Sequence, residues 1–107
     1  MNDHVGVALT GDGDIIVADF CNHRVVVYRM DGTFVRSIGS FGRNNGQFQS
    51  PLAVAVGADG RIVVVDHGNA RVQVLSADGS HVLTIGSRGE GAGQFLELCS
   101  VAVTAYR

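Results

Sequence analysis

Apolar residues along this chain lie in short runs, and polar residues with glycine separate the runs at close intervals. Runs rich in valine, isoleucine and aromatic residues predict β-strands, and Gly, Asp and Asn between them predict turns. We predict four strands at about 5–9, 14–19, 24–29 and 33–38, and four more at about 52–56, 61–66, 71–76 and 80–85. No segment keeps a helical period, so we predict essentially no helix.

The two groups of four strands are copies of one another. Between residues 5–51 and 52–98, 21 of 47 positions are identical without a gap. A third copy begins near the end, where Val101-Ala102-Val103 repeats Val54-Ala55-Val56. Repetition at a fixed period is typical of stacked or circular repeat folds. The shared landmarks include Asp19 and Asp66, Asn22 and Asn69, Arg24 and Arg71, and the Gly-Gln-Phe triplets that end at Phe48 and Phe95.

Several strands are apolar on both faces, as in Ile15-Ile16-Val17-Ala18. A sheet with one solvated face would alternate, so each sheet should have a neighbour on both sides. Four strands per repeat, stacked around an axis, are typical of a β-propeller blade. We therefore predict an all-β fold of two four-stranded antiparallel sheets, with blade 1 at about 5–39, blade 2 at about 52–86 and the first strand of a third blade at about 99–104. A small β-sandwich is the alternative, although it does not require a regular repeat.

The loop between the second and third strands reads Asn22-His23-Arg24, and its counterpart reads Asn69-Ala70-Arg71. An Ala-Asp or Val-Asp pair ends the second strand of each copy, and Gly-Gln-Phe closes each connection to the next blade. With these motifs the sequence resembles the NHL repeat family over about residues 5 to 103. The resemblance implies part of a six-bladed propeller that acts as a non-enzymatic module and binds a protein or peptide on one face. It also implies a role as the recruiting part of a larger, ubiquitin-ligase-like protein.

The polar residues of these loops have two interpretations. One triad is Asp19, Asn22 and Arg24, and the other is Asp66, Asn69 and Arg71; each triad either braces its loop or grips a ligand. Side chains at facing strand ends pair with each other, and Asn22 suits a left-handed turn position. Because one ligand rarely needs the same triad in every blade, we favour the brace. Positions that differ between the copies are better ligand candidates. The ligand-face candidates are Phe20, His23, Arg24, His67 and Arg71.

Charge and composition narrow the function further. The net charge is −2 with eight basic residues. Binding of single-stranded RNA is therefore the less favoured alternative, because it needs clustered Lys and Arg beside stacking aromatics. The histidines lack metal-ligand spacing, and no nucleophile–base arrangement can be argued. We predict no enzyme activity, no catalytic residues, no metal and no cofactor. A metal-dependent lyase of the propeller type is the enzymatic alternative.

The cysteines and the N-terminus indicate the compartment. Cys21 and Cys99 lie at unrelated positions of the repeat, so we predict free thiols in a reducing compartment. The N-terminal segment lacks a signal-peptide pattern. No apolar stretch reaches the roughly 20 residues of a membrane helix. We expect a soluble, cytoplasmic protein with no membrane partner.

The number of blades bears on assembly. Propellers close with about four to eight blades, and this sequence supplies two blades and one further strand. Phe48 and Phe95, at a fixed repeat position, are expected to pack between neighbouring blades. Three copies would supply six blades, but the extra strand would then be surplus. We therefore favour additional blades from a longer chain over self-association as a trimer.

Overall fold

The computed structural model describes residues 6–88 and 94–95. Within them, each copy of the repeat folds into a four-stranded antiparallel meander, as predicted. No α-helix occurs among these residues, which contain two three-residue 3₁₀ helices, Phe20–Asn22 and His67–Asn69. In that same part of the chain, no helix has the length and apolarity needed to cross a membrane. The first sheet consists of β1 (Gly6–Leu9), β2 (Ile15–Asp19), β3 (Arg24–Tyr28) and β4 (Phe34–Ile38), and the second of β5 (Pro51–Val56), β6 (Ile62–Asp66), β7 (Arg71–Leu75) and β8 (His81–Ile85).

Both sheets have the same strand order, from the first strand to the fourth. A short parallel pair, β9 (Ser87–Arg88) with β10 (Gln94–Phe95), follows the second sheet. These findings confirm the all-β prediction and the two antiparallel sheets. The predicted first strand of a third blade, at 99–104, lies outside the described residues. We call the two sheets blade 1 and blade 2.

Hairpin turns at the ends of β3 and β7 use the Asp-Gly pairs that the sequence repeats. Gly32 and Gly79 have φ of 91° and 96°, a region that glycine enters without steric cost. Asp78 accepts hydrogen bonds from the Ser76 hydroxyl and, at 2.9 Å, from the Ser80 backbone N–H. These bonds, led by the one from Ser76, stabilise the carboxylate and lower the pKa of Asp78 to about 2. In the other turn Asp31 accepts the Thr33 backbone N–H at 2.9 Å, and hydrogen bonds with Thr33 lower the pKa of Asp31 as well. Both turns are therefore closed by an ionised aspartate at neutral pH.

The core lies between the two blades, which pack face to face. Ile16 and Ala18 of β2 share one face of blade 1 with their cross-strand partners Val27 and Val25. This face packs against the face of blade 2 that carries Ile62 and Val64, as the two-sided apolar pattern predicts. The buried cluster comprises Ile16, Ala18, Val25, Val27, Ile38, Phe48, Val54, Ile62, Val64 and Leu75. Phe48 is fully buried in it, which confirms the expected packing of this side chain between blades.

The innermost strands of the two blades approach each other at Gly6. A Cβ atom at Gly6 would lie 2.5 Å from Ala53 Cα and 2.9 Å from the Leu52 carbonyl oxygen. Both neighbours are backbone atoms, so they cannot move aside by changing a rotamer. A side chain at Gly6 would therefore force β1 away from β5.

We expect Gly6→Ala to destabilise the fold by about 1–3 kcal/mol, the usual cost of inserting atoms into a packed interior. Urea unfolding followed by circular dichroism measures this change. Gly11→Ala is the matched control, because nothing lies within 4 Å of a Cβ atom at Gly11. Equal stability of the two variants would show that the two inner strands do not touch at this point.

Candidate functional site

The loops between the second and third strands lie at one end of both blades, which we call the loop face. Asp19 is the register partner of Arg24, and Asp66 is the partner of Arg71, so each pair meets where the hairpin closes. A 3₁₀ turn fills each loop and ends in a left-handed residue, His23 with φ 56° or Ala70 with φ 52°. The left-handed position is therefore one residue later than predicted, because Asn22 is the last residue of its 3₁₀ turn.

In blade 2 the predicted triad forms a buried cluster. Arg71 Nε donates to Asp66 Oδ2 at 2.7 Å, and Asn69 Nδ2 donates to the same oxygen at 2.9 Å. The side chain of Asp66 is 0% exposed and that of Arg71 is 12% exposed. A carboxylate removed from water is tolerated when charged and polar donors surround it in this way.

The blade 2 triad also holds the chain that connects the two blades. We call this connection, residues 39–50, the first crossover. Arg71 donates to the carbonyl oxygens of Arg43, Asn44 and Gln47, at 2.8, 3.1 and 2.8 Å. Asn69 donates to the Gly42 carbonyl at 2.9 Å. Arg71, predicted both as brace and as ligand-face residue, thus directs its guanidinium donors into the protein, and we assign it no ligand contact.

The carboxylate of Asp66 contacts the same connection. Its Oδ1 atom accepts the backbone N–H of Gln49 at 2.7 Å. The first crossover has backbone N–H and C=O groups near the core that need hydrogen-bond partners. Side chains of blade 2 supply these partners. The triad acts on the crossover as well as on its own hairpin.

Gln73 is a contributor to this network that our sequence analysis missed. It is fully buried on β7, donates to the Gln47 carbonyl at 2.6 Å and accepts the Gly46 N–H at 2.9 Å. Its counterpart in blade 1 is Val26. A polar residue that replaces an apolar one at the same strand position was the available signal, because a buried amide needs partners.

The blade 1 triad has the same internal geometry but different surroundings. Arg24 Nε donates to Asp19 Oδ2 at 3.1 Å, and Asn22 Nδ2 donates to it at 3.0 Å. The side chains of Arg24 and Asp19 are 40% and 26% exposed. Within residues 6–88 and 94–95, no chain segment lies over this triad as the first crossover lies over Arg71. Two chemically identical triads therefore differ in their burial and in the crossover contacts described for the blade 2 triad.

Aromatic side chains lie beside the triads on the loop face. The rings of Phe20 and His67 have centroids 6.3 Å apart, and those of His23 and Phe41 meet edge to face at 4.8 Å. His23 Nδ1 accepts the backbone N–H of Ser50 at 3.0 Å, which fixes the ring. Phe41 is 61% exposed, and Phe20 is also exposed. We call Phe20, His23, Phe41 and His67 the aromatic patch. Phe41 was not among the predicted candidates, because its counterpart Arg88 gives no repeat signal.

The opposite end of the blades carries an open groove of about 850 Å³, lined by the turns that precede β2 and β6. Acidic side chains dominate its polar lining, with Arg36 as the basic residue. Among the residues that the structure describes, no group of three His, Cys, Asp or Glu side chains is arranged to hold a metal ion. The acidic groups of the groove are Asp12, Asp14, Asp59 and Asp78.

Two consecutive four-stranded meanders, related by a fixed sequence period and packed broadside, define a repeat protein built from β-propeller blades. The family model of the NHL repeat matches residues 5–28 and 48–75. The first matched segment runs through the blade 1 triad to the end of β3, and the second runs from the end of the first crossover through the blade 2 triad to the end of β7. The chain belongs to the NHL repeat family. No curated protein matches the chain.

Membership of this family sets a general frame for function. NHL repeats generally form propeller modules that mediate protein or RNA binding, and such modules are typically not enzymes. The family is shared by proteins with different ligands, so the particular partner has to be argued from the surface of this chain.

Proposed function

We propose that this chain is a non-enzymatic interaction module that binds a protein or peptide at the aromatic patch of its loop face. The observation that carries the proposal is the exposure of Phe20 and Phe41 at the boundary between the blades. Large aromatic groups at the centre of a surface, rimmed by polar side chains, are typical of the residues that dominate binding energy. His23 and His67 contribute polar ring edges to the same patch.

The arrangement of the patch supports binding in a second way. The Ser50 N–H donates a hydrogen bond to His23, and the His23 ring contacts Phe41. Part of the patch is therefore ordered before a partner binds. A surface that is already ordered loses less conformational entropy when a partner binds. Arg24, the first residue of β3, directly follows His23 of the patch and offers a partly exposed charged donor at its edge. A short peptide with apolar side chains and a carboxylate fits this chemistry.

The proposal includes the setting of the module. Cys21 is a free, exposed thiol on the loop face, and exposed thiols persist in reducing compartments. We therefore place the protein in the cytoplasm. A recruiting role within a larger, ubiquitin-ligase-like protein accords with a module that binds a partner and performs no chemistry.

A random-peptide display library, selected on the immobilised chain, tests the function. We expect enriched peptides to lose about tenfold or more in affinity for the double variant Phe20→Ser and Phe41→Ser, since hot-spot aromatics contribute at least about 2 kcal/mol. Met30→Ser is the matched control, because Met30 is as exposed as Phe41 but lies in the β3–β4 turn, away from the loop face. Calorimetric titration measures the affinities.

Two other outcomes would contradict the proposal. Binding that survives in the double variant but fails when Asp12 and Asp59 are changed to Asn would place the ligand in the acidic groove. Salt-dependent binding of a single-stranded RNA oligomer in place of any peptide would assign the alternative function, because phosphate contacts are released by salt.

A further inference from the structure

The loop face of blade 2 contains a pocket of about 410 Å³ beside the aromatic patch. One of its lining residues, Arg43, lies two residues after Phe41 of the patch, and another, Gly68, directly follows His67. Two arginines, Arg43 and Arg71, line the pocket, and its described lining includes no Asp or Glu side chain. We call it the basic pocket.

The side chain of Arg43 has no part in holding the first crossover. The backbone carbonyl of Arg43 accepts a hydrogen bond from Arg71 Nη1 at 2.8 Å, and this bond does not depend on the Arg43 side chain. Arg43 is exposed, and its guanidinium makes no hydrogen bond or ion pair with any residue that the structure describes. The repeat counterpart of Arg43 is Glu90, so the repeat does not require a basic residue at this position.

The charge of the basic pocket comes from Arg43. The other arginine, Arg71, is paired at 2.7 Å with Asp66, whose side chain is 0% exposed. The Nη atoms of Arg71 also donate to three carbonyl oxygens of the first crossover. Because the Arg71–Asp66 pair carries no net charge, the positive charge of Arg43 is left uncompensated within the described lining. A surface with an uncompensated cation favours a ligand group of negative charge.

Gln49 supplies a second donor to the basic pocket. Its backbone N–H is bound to Asp66, but its side-chain amide has no hydrogen-bond partner among the described residues, although Gln49 is half-buried. Gly68 leaves room for this side chain, since a Cβ atom at Gly68 would lie 2.6 Å from Gln49 Cγ. Polar groups that are partly removed from water need partners, and an acceptor on a ligand provides one here.

We propose that the basic pocket binds an acidic side chain, Asp or Glu, of the same peptide whose apolar side chains bind the aromatic patch. This inference rests on the proposed function, because it adds a second contact to that ligand. The two oxygens of a carboxylate can accept hydrogen bonds from the Arg43 guanidinium and the Gln49 amide, and bonds to a charged acceptor are stronger than neutral ones. The partner is an acidic segment with an aromatic or aliphatic anchor close to its carboxylate.

The absence of a nearby carboxylate distinguishes Arg43 from Arg24, the arginine that follows the patch in blade 1. Arg24 Nε is paired with Asp19 Oδ2 at 3.1 Å, and the Asp19 side chain is 26% exposed. An acidic ligand group at Arg24 would be repelled by Asp19, whereas one at Arg43 meets no described carboxylate in the pocket. The acidic residue of the peptide therefore lies over blade 2, with the apolar residues at the boundary between the blades.

The sequences recovered from the peptide-display selection give the first test. Peptides enriched on the unmodified chain should carry Asp or Glu at a fixed spacing from their apolar positions. Selection on the variant Arg43→Glu should replace that acidic position by Lys or Arg, because the attraction depends on the sign of the charge. The matched control is Arg29→Glu, which reverses the charge of an exposed arginine in the β3–β4 turn and should keep the acidic position. Circular dichroism verifies that both variants are folded.

Calorimetric titration of one enriched peptide gives the second test, with Glu, Gln or Lys at its acidic position. The Glu form should lose about tenfold in affinity for Arg43→Glu, since attraction is replaced by repulsion. The Lys form should bind Arg43→Glu more tightly than it binds the unmodified chain, and the Gln form should change least. Gln49→Leu should weaken the Glu form by a smaller factor, because it removes a neutral donor.

The outcomes separate this inference from the proposed function. Equal affinities of the three peptide forms, or an enriched set without an acidic position, would overturn the inference, while a loss of binding in the Phe20→Ser and Phe41→Ser double variant would still support the patch. Unchanged binding in that double variant would overturn both. A single-stranded RNA oligomer that binds more tightly than any peptide and depends on Arg43 would assign the guanidinium to phosphate and overturn the inference as well.

Discussion

Replacement of Asp66 by alanine is expected to destabilise the protein by about 3–5 kcal/mol, because it leaves a charged group buried without its partner. Arg71 would lose its 2.7 Å contact with the carboxylate, and the Gln49 N–H would lose its acceptor. Since small domains have only about 5–15 kcal/mol of stability, this loss removes a large share of it. Urea unfolding followed by far-ultraviolet circular dichroism measures the change.

Asp19→Ala is the matched control, since Asp19 occupies the same repeat position with the same two partners. Its ion pair with Arg24 is partly exposed, and exposed pairs contribute about 0–1 kcal/mol. We therefore expect a cost at least about 2 kcal/mol smaller than that of Asp66→Ala. Equal costs would mean that the hairpin contact, and not the buried crossover, accounts for the stabilisation.

Replacement of Phe48 by alanine is expected to cost about 3–5 kcal/mol, the usual range for a large aromatic side chain in a core. Phe48 is fully buried in the cluster that joins the blades, and a Cβ atom at Gly39 would lie 2.4 Å from its ring. The cavity left behind would lie between the two sheets, where neither sheet can collapse independently. Thermal and urea unfolding should both shift to lower midpoints.

Phe41→Ala controls for the loss of an aromatic residue from the same crossover. Phe41 is 61% exposed, so its removal should change stability by about 0.5 kcal/mol or less, as is usual at surface positions. Because Phe41 belongs to the aromatic patch, the same variant should weaken peptide binding without unfolding the protein. A large loss of stability for Phe41→Ala would place this side chain in the core and remove it from the proposed binding surface.

The repeat triads show how far sequence reasoning reaches. Identical residues at a fixed period predicted that Asp, Asn and Arg would meet at the hairpin end, and their atoms lie within hydrogen-bonding distance in both blades. The same identity did not indicate which of the two triads is buried. Burial of the Asp66 carboxylate depends on residues 42–49, which lie some twenty residues away along the chain and reach the triad only when the blades stack.

For the aromatic patch and the buried network, the sequence indicated some residues and not others. Phe20, His23 and His67 were proposed because they differ between the copies, whereas Phe41 and Gln73 passed unnoticed although both lie at equally informative differences. Their roles depend on partners in another blade: His23 for Phe41, and the Gln47 carbonyl for Gln73. Residues of this kind are recognised once the neighbouring blade is in place.

By itself, the sequence determined the period of the repeat, the strands, the antiparallel meander and the family, because all of these follow from local alternation, turn chemistry and recurrence. Only the tertiary structure decided which triad is buried against the first crossover and which aromatic side chains meet on the loop face. The physical reason is that a residue on a blade becomes buried only when stacking brings a second surface against it. Two copies that carry the same triad therefore acquire different properties from what lies against them.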